Sequence, residues 1–319
     1  MLSPKKPPFS TRIRWALNGR TSSGERGLSF GSQLLSQLFL LLMAAVVIYP
    51  ILWVVSLSLD PRNVSRPTSL RLNPAEGGIS IQSYIDVIKK PTPNPVSLPQ
   101  LMWNSFRLAT LTGIASVMVG VFAAYAFSRL EFRGRQILMV AVLTVLMLPS
   151  IATLPALFVL LNKIQFHIGG TVFNLRNSLG GVGVAVLSGL LPFAIWNMKG
   201  YLDTIPKELE QAALIDGCTP MSAFFRVTLP LSTPVLAVTF FLGFMSTWTE
   251  FAISWLFLTN PKDFTLMMAL YNMVGQYSDN TPWSHFAAMA IIIALPVTIV
   301  YLLVQRYFVG GLAVGGVKG

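Results

Sequence analysis

Few side chains in this sequence are of a type that makes or breaks bonds. Cys218 is the one cysteine, and His167 and His285 are the only histidines, set far apart in the chain. A single thiol forms no intrachain disulfide, and the histidines lack the close spacing of a zinc pair. No apolar run holds a histidine or a second acid to activate a nucleophile, and no G-x-x-x-x-G-K-[ST] loop is present to cradle a phosphate. No catalytic residue, metal or cofactor is therefore assigned to the chain. Two features remain. Glu250 is an acid inside an apolar run, where a carboxylate costs about 2.5–3.5 kcal/mol on insertion scales and has to face protein or water. Residues 199–230, KGYLDTIPKELEQAALIDGCTPMSAFFRVTLP, interleave charges, helix caps and apolar side chains. That second pattern suits the docking of a partner protein.

The chain that carries them is 53% hydrophobic and 11% charged, with a mean hydropathy of +0.63. That is too little charge for a soluble protein of 319 residues. Six apolar runs, at 34–59, 106–127, 137–161, 179–198, 234–258 and 286–305, reach the roughly 20 residues needed to cross a bilayer. The expected fold is an all-α polytopic membrane protein with six transmembrane helices. It divides into a tail, 1–33, a transmembrane domain, 34–308, and a second tail, 309–319. The first run is longer than the apolar core of a secretory signal and lacks a small-x-small cleavage site, so it reads as a retained span. With both termini in the cytoplasm, fourteen of the 23 lysines and arginines fall inside, as the positive-inside bias requires.

This orientation leaves three segments outside. In the first, PTPNPVSLP at 91–99 reads as a stiff spacer, and Ile81, Tyr84, Ile85 and Ile88 form a helical stripe expected to pack on neighbouring spans. The tail residues Arg12, Arg14 and Trp15 either rest on anionic lipid or belong to a disordered topogenic segment.

The break at 199–230 is expected inside, as two short helices. Thr204 or Asp203 caps the first, Pro206 lies in its opening turn, and Glu208 and Glu210 suit the positive end of its dipole. Gly217 stops it. Thr219 caps the second, with Pro220 at its first position, and Pro230 ends it. Leu209, Ala212 and Ala213 share one face with Ile215 beside them, and Met221, Phe224, Phe225 and Thr228 share another. The alanines admit close approach of a backbone and the phenylalanines offer an apolar anchor. The alternative is a pair packed on the protein's own spans.

The run Gln211-Ala212-Ala213, then Gly217, then Val227-Thr228-Leu229-Pro230 resembles the EAA signature of ABC importer permeases. The family pattern has glutamate where Gln211 stands. Glu210 is one place earlier, about 100° round the helix. Ala124-Tyr125-Ala126-Phe127-Ser128-Arg129 with Phe132 and Gly134, and Trp248-Thr249-Glu250-Phe251, are similar to the carbohydrate-uptake branch. The ending Gln305-Arg306-Tyr307-Phe308 and Gly315-Gly316-Val317-Lys318-Gly319 is similar to that of maltose/maltodextrin importer permeases. The resemblance implies a type I ABC importer permease fold in a bacterial or archaeal inner membrane. It implies that the helix pair couples to ATPase subunits through Glu210, Gln211, Ala212, Ala213, Asp216, Gly217, Phe224, Phe225, Leu229 and Pro230. The implied partners are a second permease, two ATP-binding cassette subunits that hold ATP and Mg, and an external sugar-binding protein.

Trp248 and Glu250 are candidates for a sugar path, with Trp255 and Trp196 as further rings able to stack on a pyranose. Each also has a structural reading: the acid as a bond between helices, the indoles as interface residues. Gly243, Pro149 and Pro155 are placed to loosen spans. The last outer segment offers Tyr271, Asn272, Gln276 and Tyr277 to the sugar-binding protein, and the glycine-rich tail from Gly310 is expected to be flexible and to touch the ATPases. The alternative function is an ion-coupled secondary sugar transporter, which accounts for the spans and Glu250 but leaves the helix pair unexplained.

Overall fold

The structure is a computed structural model and describes residues 30–62, 78–168, 171–274 and 281–315. Four helices among these are long and apolar enough to cross a membrane unaided. They are α1 (Phe30–Ser58), α3 (Leu98–Arg129), α6 (Leu179–Leu202) and α12 (Trp283–Gly315). The short α2 (Gln82–Lys89) precedes α3.

The expected third and fifth spans are each broken in two. The third consists of α4 (Arg135–Val145) and α5 (Ser150–Lys163). Pro149 stands at the join: it has no N–H to give, and it pushes the residue before it out of the helical region. Beyond α5, β1 (Gln165–Ile168) and β2 (Thr171–Asn174) pair antiparallel as a small hairpin. The fifth span consists of α9 (Thr233–Trp248) and α10 (Ala252–Phe257), separated by Thr249, Glu250 and Phe251. Between spans four and five lie α7 (Lys207–Ile215) and α8 (Pro220–Leu231). After α10 come a single 3-10 turn at Pro261–Asp263 and α11 (Leu266–Asn272).

The bundle is organised on α3, which packs along both α6 and α9, while α9 packs along α12. Small residues set how close these helices come. A Cβ placed on Gly243 of α9 would lie 2.8 Å from Ser116 Oγ and 3.2 Å from Gly113 Cα, both on α3. Three apolar clusters are strung along α3. Leu101, Ala109, Phe244, Trp248 and Met289 join it to α9 and α12. Leu108, Val182, Ala185 and Phe257 join it to α6 and α10. Val121, Met198, Leu202, Phe224 and Val235 join it to α6, α8 and α9. By contrast α1 packs against α12 and leaves most of its apolar side chains uncovered, Leu35, Leu41 and Val47 among them. Such a surface requires lipid or another apolar chain.

Three expectations are corrected here. The segment 91–99 is more than a spacer, because Val96 and Leu98 are buried in the first cluster and α3 already starts at Leu98. On α2 the buried residues are Ser83 and Val87, while Ile81 and Ile88 are exposed. The Tyr84 hydroxyl reaches the first span, 2.8 Å from Ser58 Oγ. At the other end α12 continues to Gly315, so helix occupies positions where a flexible tail was expected. The tail 1–29 and the last residues 316–319 lie outside the described residues.

Candidate functional site

The helix pair α7–α8 is held to the bundle by one face of α3. Phe122, Tyr125 and Arg129 recur at helical spacing there. Arg129 Nε donates to Glu210 Oε1 at 2.6 Å, and the Tyr125 hydroxyl donates to Glu210 Oε2 at 3.1 Å. Both charged side chains are buried, with exposures of 6% and 11%. Arg129 Nη2 also donates to the Ile205 carbonyl at 2.9 Å, and Nη1 to Ser128 Oγ at 3.0 Å. Ser128 Oγ in turn donates to Asp203 Oδ1 at 2.6 Å, and Lys199 Nζ to Asp203 Oδ2 at 2.5 Å. The ends of α3 and α6 and the middle of α7 are thereby tied into one polar network. Burial works to raise the Asp203 pKa, but the hydrogen bonds from Lys199 and Ser128 outweigh it and hold the carboxyl below its usual range.

The local geometry of the pair follows from its caps. The N-cap position of α7 is Pro206, in extended conformation, rather than Thr204 or Asp203. Those two are otherwise engaged: Asp203 closes α6, and Thr204 Oγ1 donates to the Tyr201 carbonyl. At the other end Gly217 has φ of +87°, with its N–H on the Leu214 carbonyl and the Cys218 N–H on the Ala213 carbonyl. That pair of bonds is a Schellman cap, and it needs the left-handed conformation glycine adopts freely. Thr219 Oγ1 accepts the Ser222 N–H at 3.2 Å, with Pro220 in the first turn. Pro230 does not end α8 but widens it. Lacking an N–H, it follows a π-turn, Phe224–Thr228, in which the Leu229 amide bonds the Phe224 carbonyl five residues back. The chain then bends by 73° into α9.

These contacts sort the predicted docking residues into two sets. Glu210 and Phe224 face their own chain. The Phe224 ring lies 4.6 Å from that of Tyr125 and 5.6 Å from that of Phe122, with its side chain buried. Leu229 is half-buried beside it. Gln211, Ala212, Asp216, Gly217, Phe225 and Pro230 are exposed, and Ala213 is half-buried. Together with Leu209, Leu214, Ile215 and Met221 they make an apolar ridge, on which Ile215 is 86% exposed and Met221 59%. The single expected face of α8 is thus two faces: Phe224 and Thr228 point in, Met221 and Phe225 point out. The clamp residues Tyr125 and Arg129 were not among the predicted site residues. Their spacing four apart at the end of a span, opposite the acids of α7, was the available signal.

The candidates for a path divide as well. Trp248 is buried, its Nε1 donates to the Ile293 carbonyl at 3.1 Å, and its ring stacks on Phe244. No face of that indole is open to a sugar ring, so it belongs to the core. Glu250 spans the break in the fifth span. Its Oε1 accepts the Ile253 N–H at 2.5 Å, and its Oε2 accepts the Ser254 N–H at 3.0 Å and the Ser254 hydroxyl at 2.6 Å. The carboxylate therefore caps α10, where a negative charge suits the helix dipole. Glu250 also borders a cavity of about 440 Å³ between α5, α6, α9 and α10, with Thr153, Ser188 and Ser246 as other polar walls. Trp255 and Trp196 are half-exposed. Tyr271 is exposed and stacks on Phe251 at 4.0 Å. Asn272 borders a second cavity, of about 530 Å³, with Lys90, Pro282 and His285. Gln276 and Tyr277 lie outside the described residues.

Comparison with known proteins adds the following. The profile of the family described as "Binding-protein-dependent transport system inner membrane component" matches residues 116–313. A maltose/maltodextrin transport system permease protein MalG from Photorhabdus laumondii is 35% identical over 289 residues, covering 90% of this chain and 96% of that protein. The protein of the same name from Escherichia coli K12 is 37% identical over 291 residues, covering 89% and 95%. Among solved structures, a bacterial ABC transporter involved in import of the acidic polysaccharide alginate has a chain that superposes with a TM-score of 0.64 at 20% identity. It covers 96% of this chain and all of its own. A methionine ABC transporter, MetNI, gives 0.52 at 16% identity, covering 67% and 95%.

Proposed function

We infer function from the premise that this chain belongs to the family of binding-protein-dependent transport system inner membrane components. It is a multi-pass membrane protein of the ABC permease fold and a homologue of maltose/maltodextrin permeases. We propose that it forms one half of the translocation path of an ATP-driven importer for maltose, maltodextrin or a related oligosaccharide. The other half is a second permease. Two ATPase subunits hold ATP and Mg and carry out hydrolysis, one of them docking on α7–α8 of this chain, and an external binding protein delivers the sugar. Both termini and the helix pair lie in the cytoplasm, and Tyr271 and Asn272 face the binding protein.

The observation that carries the coupling role is the apolar ridge of α7–α8, exposed on one side and locked to α3 by the Arg129–Glu210 pair on the other. A ridge held this rigidly transmits a push to α3 instead of absorbing it. The ion-coupled alternative loses its main support because the Glu250 carboxylate is engaged in capping α10.

The test is uptake of radiolabelled maltose and maltotriose into proteoliposomes holding the chain with its copurifying subunits. The expected result is uptake that needs ATP inside and binding protein outside, and that is lost together with ATPase retention in Ile215→Glu. Uptake driven by a proton or sodium gradient without ATP would overturn the proposal.

A further inference from the structure

At the end of the bundle far from Gly217, a cavity of about 450 Å³ opens between α3 and α6. Its mouth is polar and its floor is not. Arg107 and Asp263 border the mouth, while Leu111, Ala115, Val184 and Leu187 line the groove below. Among the described residues Arg107 makes one side-chain hydrogen bond, from Nη2 to Asn104 Oδ1 at 3.1 Å, and its Nε is buried without a partner. Among the described residues no carboxylate forms an ion pair with it, and Asp263 likewise has no cation partner. A half-buried guanidinium left unpaired is costly, and an anion at the mouth would remove that cost.

The mouth is also rigidly built. Asn104, which positions Arg107, is fully buried and donates to the carbonyls of Lys262 at 2.8 Å and Phe264 at 2.9 Å. Asn177 accepts the Thr259 N–H at 2.9 Å. On the α6 side Ser178 caps Gly181 and takes the Val182 N–H on its carbonyl. Among the described residues the Leu179 and Gly180 amides are the donors left without a partner at the α6 N-terminus, and the Cβ position of Gly180 meets only Ser178 Oγ, at 3.7 Å. Two free amides and an unpaired guanidinium offer a phosphate its donors, Asp263 offers an ammonium its acceptor, and the groove offers an acyl chain its apolar wall. Leu111 and Val184 are exposed along that wall.

We propose that this groove binds one phospholipid with an ammonium-bearing head, of the phosphatidylethanolamine class. Its phosphate sits against Arg107 and the α6 N-terminus, its ammonium against Asp263, and one acyl chain lies along Leu111 and Val184. A purely anionic headgroup would leave Asp263 unpaired beside it. Lipid binding is independent of the transport reading; only the placing of this lipid in the outer leaflet rests on it.

Native mass spectrometry of the complex purified in mild detergent, with added lipids of matched acyl chains, tests this. The expected result is one retained phosphatidylethanolamine per copy of this chain, bound about tenfold more weakly in Arg107→Gln. Asp263→Asn should erase the preference for phosphatidylethanolamine over phosphatidylglycerol without weakening the latter. Val184→Trp, which fills the floor and leaves the mouth intact, should expel lipid in either case. Equal binding in all variants would overturn the proposal, as would protection by inorganic phosphate alone. Efficient cross-linking of a cysteine at Leu111 to the second permease would also overturn it, by showing a protein in the groove. Assembly with the other subunits, read in the same spectra, separates these outcomes from failure of the importer reading.

Discussion

Arg129 at the end of α3 and Glu210 in the middle of α7 form a buried ion pair, 2.6 Å apart and 81 residues apart in sequence. It ties the helix pair that carries the exposed ridge to the helix at the centre of the bundle. Removing one partner leaves the other charge buried and unpaired, which costs roughly 3–5 kcal/mol. Glu210→Ala and Arg129→Met are therefore expected to lower the yield of assembled complex sharply. In any complex recovered, ATP hydrolysis should run without uptake. Glu210→Gln keeps the shape and one acceptor, so it should assemble better than Glu210→Ala yet remain poorly coupled. Normal uptake per ATP in all three variants would show that the link carries no force.

Gly217 is the second joint, and its constraint is purely conformational. A Cβ there meets no atom within 4 Å, so only the positive φ opposes a side chain. Gly217→Ala should cost roughly 1–2 kcal/mol, Gly217→Asn less, and Gly217→Val more because its branched side chain resists that backbone. The order Gly, Asn, Ala, Val should appear in thermal melting of the complex and, more steeply, in coupled uptake. If valine were as good as asparagine, the Schellman cap would have no bearing on function.

The contrast between these two joints shows what the sequence could disclose. Gly217, Thr219 and Pro220 were legible because a cap is encoded within five or six neighbouring residues. Glu210 was legible only as an acid near a helix start. Its burial depends on Arg129 and Tyr125 from another span, which no local pattern reports. The split of α8 into two faces was hidden for another reason: a 3.6-residue period groups Met221 with Phe224 and Phe225, and the π-turn before Pro230 changes that phase. Hydropathy located the spans but not the breaks at Pro149 and Glu250, since an average over the roughly 20 residues of a span smooths out an interruption of three or four. Trp248 looked like a ligand-stacking ring because an indole in a span has the same type wherever it points.

The crossing of α3 and α9 is set by Gly243. Gly243→Ala puts a methyl group 2.8 Å from Ser116 Oγ and 3.2 Å from Gly113 Cα, and overpacking of this kind costs roughly 1–3 kcal/mol. Ser116→Ala removes the nearer clash, so the double variant should recover part of the lost melting temperature. Gly243→Leu should not be rescued. Fluorescence-detected gel filtration of the heated complex reads both outcomes, and no difference between single and double variants would place the strain elsewhere.

Asp203 gives a pH dependence. Its folded pKa lies below the ordinary aspartate value of 3.8, so the folded state holds the carboxylate more firmly than the unfolded chain does. Its contribution is then complete above about pH 3.8 and is lost as the pH falls from there through the lower folded pKa. The side chain is 41% exposed, so solvent and salt weaken the effect. Melting temperatures of wild type and Asp203→Asn should differ by a constant small amount from pH 7 to pH 5 and converge below pH 4. A gap that widened on acidification would mean that the sign is wrong.

Glu250 distinguishes a cap from a ligand contact. If its carboxylate serves to start α10 after the break, its value resides in the Ile253 and Ser254 amides and the Ser254 hydroxyl. Loss of a cap costs roughly 0.5–2 kcal/mol, and residues that share one bond do not lose it twice. Glu250→Ala should raise amide hydrogen exchange across residues 252–257. Ser254→Ala should do so less, and the double variant should be little worse than Glu250→Ala alone. The aromatic stack of Phe251 on Tyr271 sits directly beyond the cap. Fraying of α10 should therefore reach that stack and reduce uptake through the outer mouth, with the sugar concentration for half-maximal uptake little changed. A direct sugar contact predicts the reverse: half-saturation moves strongly with Glu250, exchange at 252–257 stays flat, and Ser254→Ala is silent. Measured together, uptake kinetics and exchange decide whether this acid holds the helix or the substrate.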